Sequence, residues 1–331
     1  SAEAFTFSGG IVEPGETANV RYTISETYLG EPVRVPVTIV NGEEPGPSIF
    51  LSAASHGDEL NGIEIVREVA HEWVHDTLRG TIVCLPVLNV PAFIAQQRYL
   101  PIYDRDLNRS FPGDPESTSA KRMAHTLFTN FIQPCDLGLD FHTSTRGRSN
   151  MLHVRADMEK EAVARLARAF ASNVIIAGAG PDGSLREEAS AVGTPTITVE
   201  MGEAHRFQRV LIDQALEGVE SVFAEYGLLA QPSVKWPGWR TVIESGEKTW
   251  LRADVGGLVE MHFSRGDLVE QGEPICTITN PFKTDTTEVT APFTGLIVGV
   301  LENPVVFPGN PLCHVVELDE QTRRAYEQSQ D

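Results

Sequence analysis

Between residues 33 and 199, short apolar runs rich in β-branched side chains alternate with longer stretches whose apolar residues recur every three or four positions. Runs without polar alternation belong to strands buried on both faces, and the longer stretches to amphipathic helices laid over them. The region therefore reads as an α/β layer fold. Strands are expected at 33–40, 48–54, 81–88, 137–141, 151–155, 174–177 and 195–199. Between them, Ala120, Met123, Ala124, Leu127, Phe128 and Phe131 keep helical spacing, as do Val210, Leu211, Ala215, Leu216, Val219, Val222 and Phe223. These stripes are core faces. Another helix is expected to start near Glu59, with Ile63, Val66, Ala70, Trp73 and Val74 as its apolar stripe.

The pattern changes after Gly227. Gln231-Pro-Ser-Val-Lys-Trp-Pro-Gly238 reads as a linker, and beyond it helical periodicity gives way to short strands and glycine turns. Two domains are expected: an α/β catalytic domain over residues 1–230 and a small all-β domain over 236–331. The turns Gly-Asp-Leu-Val, Gln-Gly-Glu-Pro and Ala-Pro-Phe-Thr-Gly295 make the second resemble a lipoyl/biotinyl-type sandwich. Carriers of that type hold their modified lysine between two methionines. Lys283 lies in Asn-Pro-Phe-Lys-Thr without them, so a structural role is expected instead.

Composition narrows the partners. With 331 residues, 41% of them hydrophobic, the chain is long enough for one large core and a smaller one. Forty-six acidic against 26 basic residues give a formal charge of −20, which disfavours nucleic acid and anionic membrane surfaces as partners. Cys84, Cys135, Cys276 and Cys313 are far apart and form no C-x-x-C pair, so reduced thiols and a cytoplasmic location are the expectation. No segment is apolar over a membrane-spanning length, and the arginine-bearing loops leave room for contacts in a homo-oligomer.

The chemistry concentrates at His56-Gly-Asp-Glu59, which follows directly on the apolar run Ser48-Ile-Phe-Leu-Ser-Ala-Ala54. An imidazole and a carboxylate three residues apart, where a buried strand turns into a helix, stand where open α/β sheets place ligands. His142 leaves a second such strand, Leu137-Gly-Leu-Asp-Phe141. Two histidines and a glutamate with one open position form a catalytic zinc set. Asp140, two residues before His142, points to the same face and is placed to accept the free N–H of a ligating histidine. A rival, His71-Glu-Trp-Val-His75, matches H-E-x-x-H. Helical phase puts both of its histidines on the wet face with Glu64 and Glu68, and residues 94–100 supply no third acidic ligand, so they are expected to be solvated.

His56-x-x-Glu59, Asp104-Arg-Asp-Leu-Asn-Arg-Ser-Phe-Pro-Gly113, Asp140-Phe-His142 and Val199-Glu-Met-Gly-Glu203, in this order, resemble the succinylglutamate desuccinylase/aspartoacylase family. The resemblance implies a zinc carboxypeptidase-like fold, a mixed sheet flanked by helices. It implies one zinc ion on His56, Glu59 and His142, a carboxylate grip by Asn108 and Arg109, and Glu200 as general base. Arg98 would support the developing oxyanion, with Arg105 as the alternative. The implied activity is hydrolysis of the amide bond of a small N-acyl amino acid or related amine. Two other readings stay open, a metallocarboxypeptidase acting on peptides and a metal-containing binding protein without turnover. Arg148, Asn150, Arg155 and Arg186 are polar enough to shape specificity.

Overall fold

The computed structural model describes residues 1–73, 75–229, 241–243 and 248–330. Strands β1 (Phe5–Phe7), β2 (Gly10–Val12) and β3 (Thr17–Glu26) lead into β4 (Pro32–Asn41), β5 (Glu44–Ala53), helix α1 (Asn61–His71), β6 (Arg79–Leu85) and the short α2 (Val90–Ile94). Then come α3 (Ser119–Leu127), β7 (Leu137–His142), β8 (Arg148–Ala156), α4 (Glu161–Ala169), β9 (Val174–Ala177), α5 (Leu185–Ala191), β10 (Thr196–Gly202) and α6 (Arg209–Glu225). The rest comprises β11 (Thr241–Ile243), β12 (Lys248–Arg252), β13 (Gly257–Met261), β14 (Leu268–Val269), β15 (Pro274–Thr279), β16 (Thr286–Thr290), β17 (Gly295–Leu301), β18 (Val305–Val306), β19 (Pro311–Glu317) and α7 (Glu320–Ser329).

All seven expected strands are present, and they lie in one mixed sheet flanked by helices, in the order β3-β4-β6-β5-β7-β10-β8-β17-β19-β12, with β9 paired to β8 beside this path. Its centre, β6-β5-β7-β10, is parallel, whereas β4 and β8 run antiparallel to it. Ile49, Phe50, Leu51 and Ala53 of β5 are wholly buried, as continuous apolar runs require when both faces are covered. On β7, Leu137, Leu139 and Phe141 join the apolar cluster under α1, α4 and α6. Alternation sends Asp140 and His142 to the opposite face.

β3 and α7 are among the elements that were not legible beforehand. β3 is the outermost strand, mostly half-buried or exposed, so its apolar residues carry only a weak signal. Helix α7 buries a single side chain, Tyr326, and so shows no apolar stripe. It is stabilised instead by the Asp319 cap and by Arg323–Glu327 and Arg324–Glu320 pairs one turn apart. The C-terminal part is thus strand-rich but not wholly β. Around β11, the expected linker 231–238 and the boundary between 230 and 236 lie outside the described residues.

The C-terminal strands form two layers. One, β14-β17-β19-β12, continues the central sheet through the pairing of β17 with β8; the other is β16-β15-β13-β18. Ile275, Ile278, Ile297, Leu312 and Val315 share one apolar cluster between them. Lys283 sits in the exposed turn between β15 and β16.

The rival histidine pair is corrected in detail. The stripe Ile63, Val66 and Ala70 is buried, with Trp73 packed against it, while Val74 lies outside the described residues. However, α1 ends at His71, which is exposed, so His75 is on no helix face. It is half-buried, with its Nε2 2.7 Å from the Val69 carbonyl oxygen.

Gly57 shows how tightly the turn after β5 is set, because a Cβ there would stand 2.2 Å from the Ala92 backbone carbon. Gly57→Ala must push α2 away. It is expected to lower stability by about 1–3 kcal/mol, measured as a shift of the urea midpoint at constant slope.

Candidate metal centre

The chain leaves β5 for β6 on one side and later returns as β7 on the other. The crevice beyond the ends of β5 and β7 is therefore the point where strand order reverses, the usual ligand position in such sheets. Ala53 pairs with Phe141, so the segments carrying His56 and His142 leave adjacent strands at the same level. Ala54 adopts φ 52°, a left-handed conformation that costs a non-glycine residue about 1–2 kcal/mol and turns the chain sharply into Ser55-His56. Glu59 N–H then donates to the His56 carbonyl, and Gly57 N–H to the Arg98 carbonyl.

His56, Glu59 and His142 come together with ligand atoms within 4.8 Å of one another, and all three are buried. Nδ1 of His56 lies 2.6 Å from Glu59 Oε2, and Nδ1 of His142 lies 3.2 Å from Glu59 Oε1. The outer nitrogens are both tied to carboxylates: His56 Nε2 to Asp106 Oδ1 at 2.9 Å, and His142 Nε2 to Asp140 Oδ2 at 2.6 Å. Asp140 is fixed in turn by the Ser52 hydroxyl at 2.7 Å. These partners hold each ring by its Nε2–H and point both Nδ1 atoms at Glu59. Beyond its ion pair with Glu59, His56 Nδ1 is buried and makes no hydrogen bond among the described residues. Such an imidazole nitrogen, a second imidazole and a carboxylate form a donor set that fits zinc.

Electrostatics point the same way. Burial opposes charge on His142, yet Asp140 and Glu59 outweigh it and hold its pKa well above the ordinary histidine value. His56 is raised likewise, Glu59 and Asp106 overcoming burial. Burial would raise Glu59, but the two imidazoles depress it far below the usual carboxylate range. The cluster thus gathers protons, and a dication would compete for the same place.

Arg98 reaches this cluster, its Nη1 donating to Glu59 Oε2 at 2.9 Å. Arg105 is exposed, and Leu100 N–H donates to its carbonyl at 2.9 Å, closing a small loop that accounts for the long stretch between Arg98 and Asp106. Glu200 pairs in register with His142 on β7 and His153 on β8, and Asn150 Nδ2 donates to its Oε2 at 3.3 Å. Asn108 accepts the Leu185 N–H at 2.9 Å through its amide oxygen, leaving the NH2 as its free donor. The exposed Arg109 donates to the Asn108 carbonyl at 2.8 Å.

Asp106 was not anticipated. Its Oδ1 receives both His56 Nε2 and the Asn108 N–H, each at 2.9 Å, joining the metal cluster to the Asn108-Arg109 arm. The available signal was a carboxylate two residues ahead of Asn108 in the most distinctive motif.

Further along the same side of the sheet, Arg155 Nε lies 3.2 Å from His153 Nε2, Arg186 Nη1 donates to the Gly178 carbonyl at 3.1 Å and Lys248 Nζ to the Ala177 carbonyl at 2.8 Å. Arg148 stacks over Trp250 at 4.8 Å. Among the described residues these four cations form no ion pair with a carboxylate. Burial lowers the Lys248 pKa, and Arg155 and Arg186 lower it further.

Comparison with known proteins follows the same lines. The family described as Succinylglutamate desuccinylase/Aspartoacylase catalytic domain matches residues 45–226. The N-alpha-acetyl-L-2,4-diaminobutyric acid deacetylase of Halomonas elongata is 27% identical over 256 residues, 74% of either chain. A succinylglutamate desuccinylase of Yersinia pestis is 26% identical over 260 residues, 72% of this chain and 76% of that one. In fold, the product-bound ectoine utilization protein EutE (DoeB) from Ruegeria pomeroyi superposes with a TM-score of 0.81 at 22% identity, covering 92% of this chain and 97% of that chain. A succinylglutamate desuccinylase/aspartoacylase from Rhodobacter sphaeroides gives 0.79 at 22% identity, covering 91% and 95%. The chain belongs to the succinylglutamate desuccinylase/aspartoacylase family.

Proposed function

We propose that this protein is a zinc-dependent amidohydrolase that removes the acyl group from a small N-acyl amino acid or related N-acyl amine. The observation carrying this reading is the buried His56, Glu59 and His142 set, each imidazole oriented by its own carboxylate. Bound there, zinc supplies Lewis acidity that polarises the acyl carbonyl and makes water acidic near neutral pH. Glu200 takes the proton of the attacking water and delivers it to the departing amine. Arg98 meets the charge that develops on the acyl oxygen. Asn108 and Arg109 hold a carboxylate of the substrate and so fix the scissile bond in place.

The relatives named deacetylase and desuccinylase support an amide-cleaving hydrolase. An acidic substrate is supported by Arg148, Arg155, Arg186 and Lys248, cations that make no direct ion pair with a carboxylate among the described residues of a chain of charge −20. Arg148 is close enough to Arg98 for the two to repel, and Arg186 feels Glu200, which brings this positive region to the site. The zinc carboxypeptidase-like sheet, the division into a catalytic domain of 1–230 and a lipoyl-type β-domain of 236–331, and a cytoplasmic location belong to the same proposal. No helix among the described residues is long and apolar enough to cross a membrane.

Glu200→Gln should keep zinc, measured by metal analysis, while turnover falls about 10²–10⁴-fold; a normal rate would refute the base role. Because His56 and His142 have raised pKa values and bind metal only when deprotonated, zinc affinity should fall as pH drops from 8 towards 5. Competition titration against a chelator reads this, and pH-independent affinity counts against the site. Arg109→Ala should raise KM about 10–100-fold for substrates bearing a carboxylate and leave the corresponding amides unchanged.

A further inference from the structure

We propose that Asn150 is a positioning residue for Glu200 and that Gly299, from the C-terminal part of the chain, holds Asn150 in that role. This rests on the deacylase reading and adds a task for the C-terminal strands. Asn150 stands on β8 between two glycines in register, Gly202 on β10 and Gly299 on β17. It is buried, 5% exposed, so its amide has few places to point. Nδ2 donates to Glu200 Oε2 at 3.3 Å, and the opposite end, Oδ1, is buried with no hydrogen-bond partner among the described residues.

That asymmetry is informative. Turning the amide over would set Oδ1 against the Glu200 carboxylate, two acceptors facing each other, so the observed orientation is the one the carboxylate selects. The orphaned oxygen costs stability and is retained because the other end of the same amide restrains Glu200. Oδ1 faces Gly299: a Cβ built there would be 2.4 Å from it, closer than any real contact. Only a residue without a side chain leaves room for the amide in this orientation. Pairing of β17 with β8 spans Gly299↔Asn150, Val300↔Ser149 and Leu301↔Arg148, so this short seam brings the C-terminal sheet against the residue that holds the base. The carboxylate held by Asn150 neighbours His142 in register, so a shift of the amide moves the base relative to the metal cluster.

The test uses the full-length, zinc-loaded enzyme and steady-state kinetics on a panel of N-acyl amino acids. Asn150→Ala is expected to lower kcat about 10–100-fold while KM, zinc content and melting temperature stay close to wild type. Gly299→Ala should lower kcat similarly, and Asn150→Ala/Gly299→Ala should be no slower than Asn150→Ala alone, because the glycine acts only through the amide. If Gly299→Ala does not fold, the double variant, which lacks the clash, decides and must match Asn150→Ala. A normal kcat in Asn150→Ala, a loss confined to KM, or losses that multiply in the double variant overturn the proposal. A wild-type enzyme inactive on the whole panel overturns the deacylase reading and this role with it, whereas an active wild type with unaffected variants overturns only the role.

Discussion

Glu59 is the contact on which the rest of the site depends. A carboxylate buried this deeply costs several kcal/mol unless it is fully compensated, and here four groups share it: His56, His142, the Arg98 guanidinium and the Thr143 backbone N–H. Removing any of them leaves a buried anion under-compensated, so the turn after β5, the end of β7 and the segment bearing Arg98 are locked together. A metal ion held here would add a charge that the acidic lining already favours.

From that centre, restraint passes outward through carboxylates. Asp140 anchors His142 and is itself held by Ser52 on the neighbouring strand, within the sheet. Asp106 anchors His56 and the Asn108 backbone with one oxygen, outside the sheet. The His56, Glu59 and His142 cluster and the Asn108-Arg109 turn are therefore not independent modules. A shift of the 106–109 turn would be felt at the His56 imidazole.

The charge distribution is uneven in a useful way. A chain with 46 acidic and 26 basic residues keeps four cations out of direct ion pairs with carboxylates, among its described residues, on the side of the sheet that carries Glu200. In a surface of predominantly negative charge such a region focuses attraction for small anions; burial lowers the pKa values of Arg148, Arg186 and Lys248, and neighbouring cations lower them further, Arg98 and Arg252 for Arg148, Arg155 for Arg186, and Arg155 with Arg186 for Lys248. Lys248 belongs to β12, so the C-terminal strands contribute to this region as well as to the wall behind Asn150.

By itself the sequence pointed to the buried strands, because β5 is a nearly continuous apolar run and β7 is apolar on the face that carries Leu137, Leu139 and Phe141, and to the His56, Glu59 and His142 cluster at their ends, because polar residues directly after such strands have few other reasons to be there. It also determined that Asp140 shares a face with His142, a matter of period two. Elements that bury little, β3 and α7, left no such trace. Nor did partnerships between residues distant along the chain: Asp106 with His56, Arg98 rather than Arg105 with Glu59, and Asn150 with both Glu200 and Gly299. Local pattern records which faces are buried. Only the packed tertiary structure decides which polar groups meet, because that depends on strand order and on where loops close, and neither is written in the periodicity of any one segment.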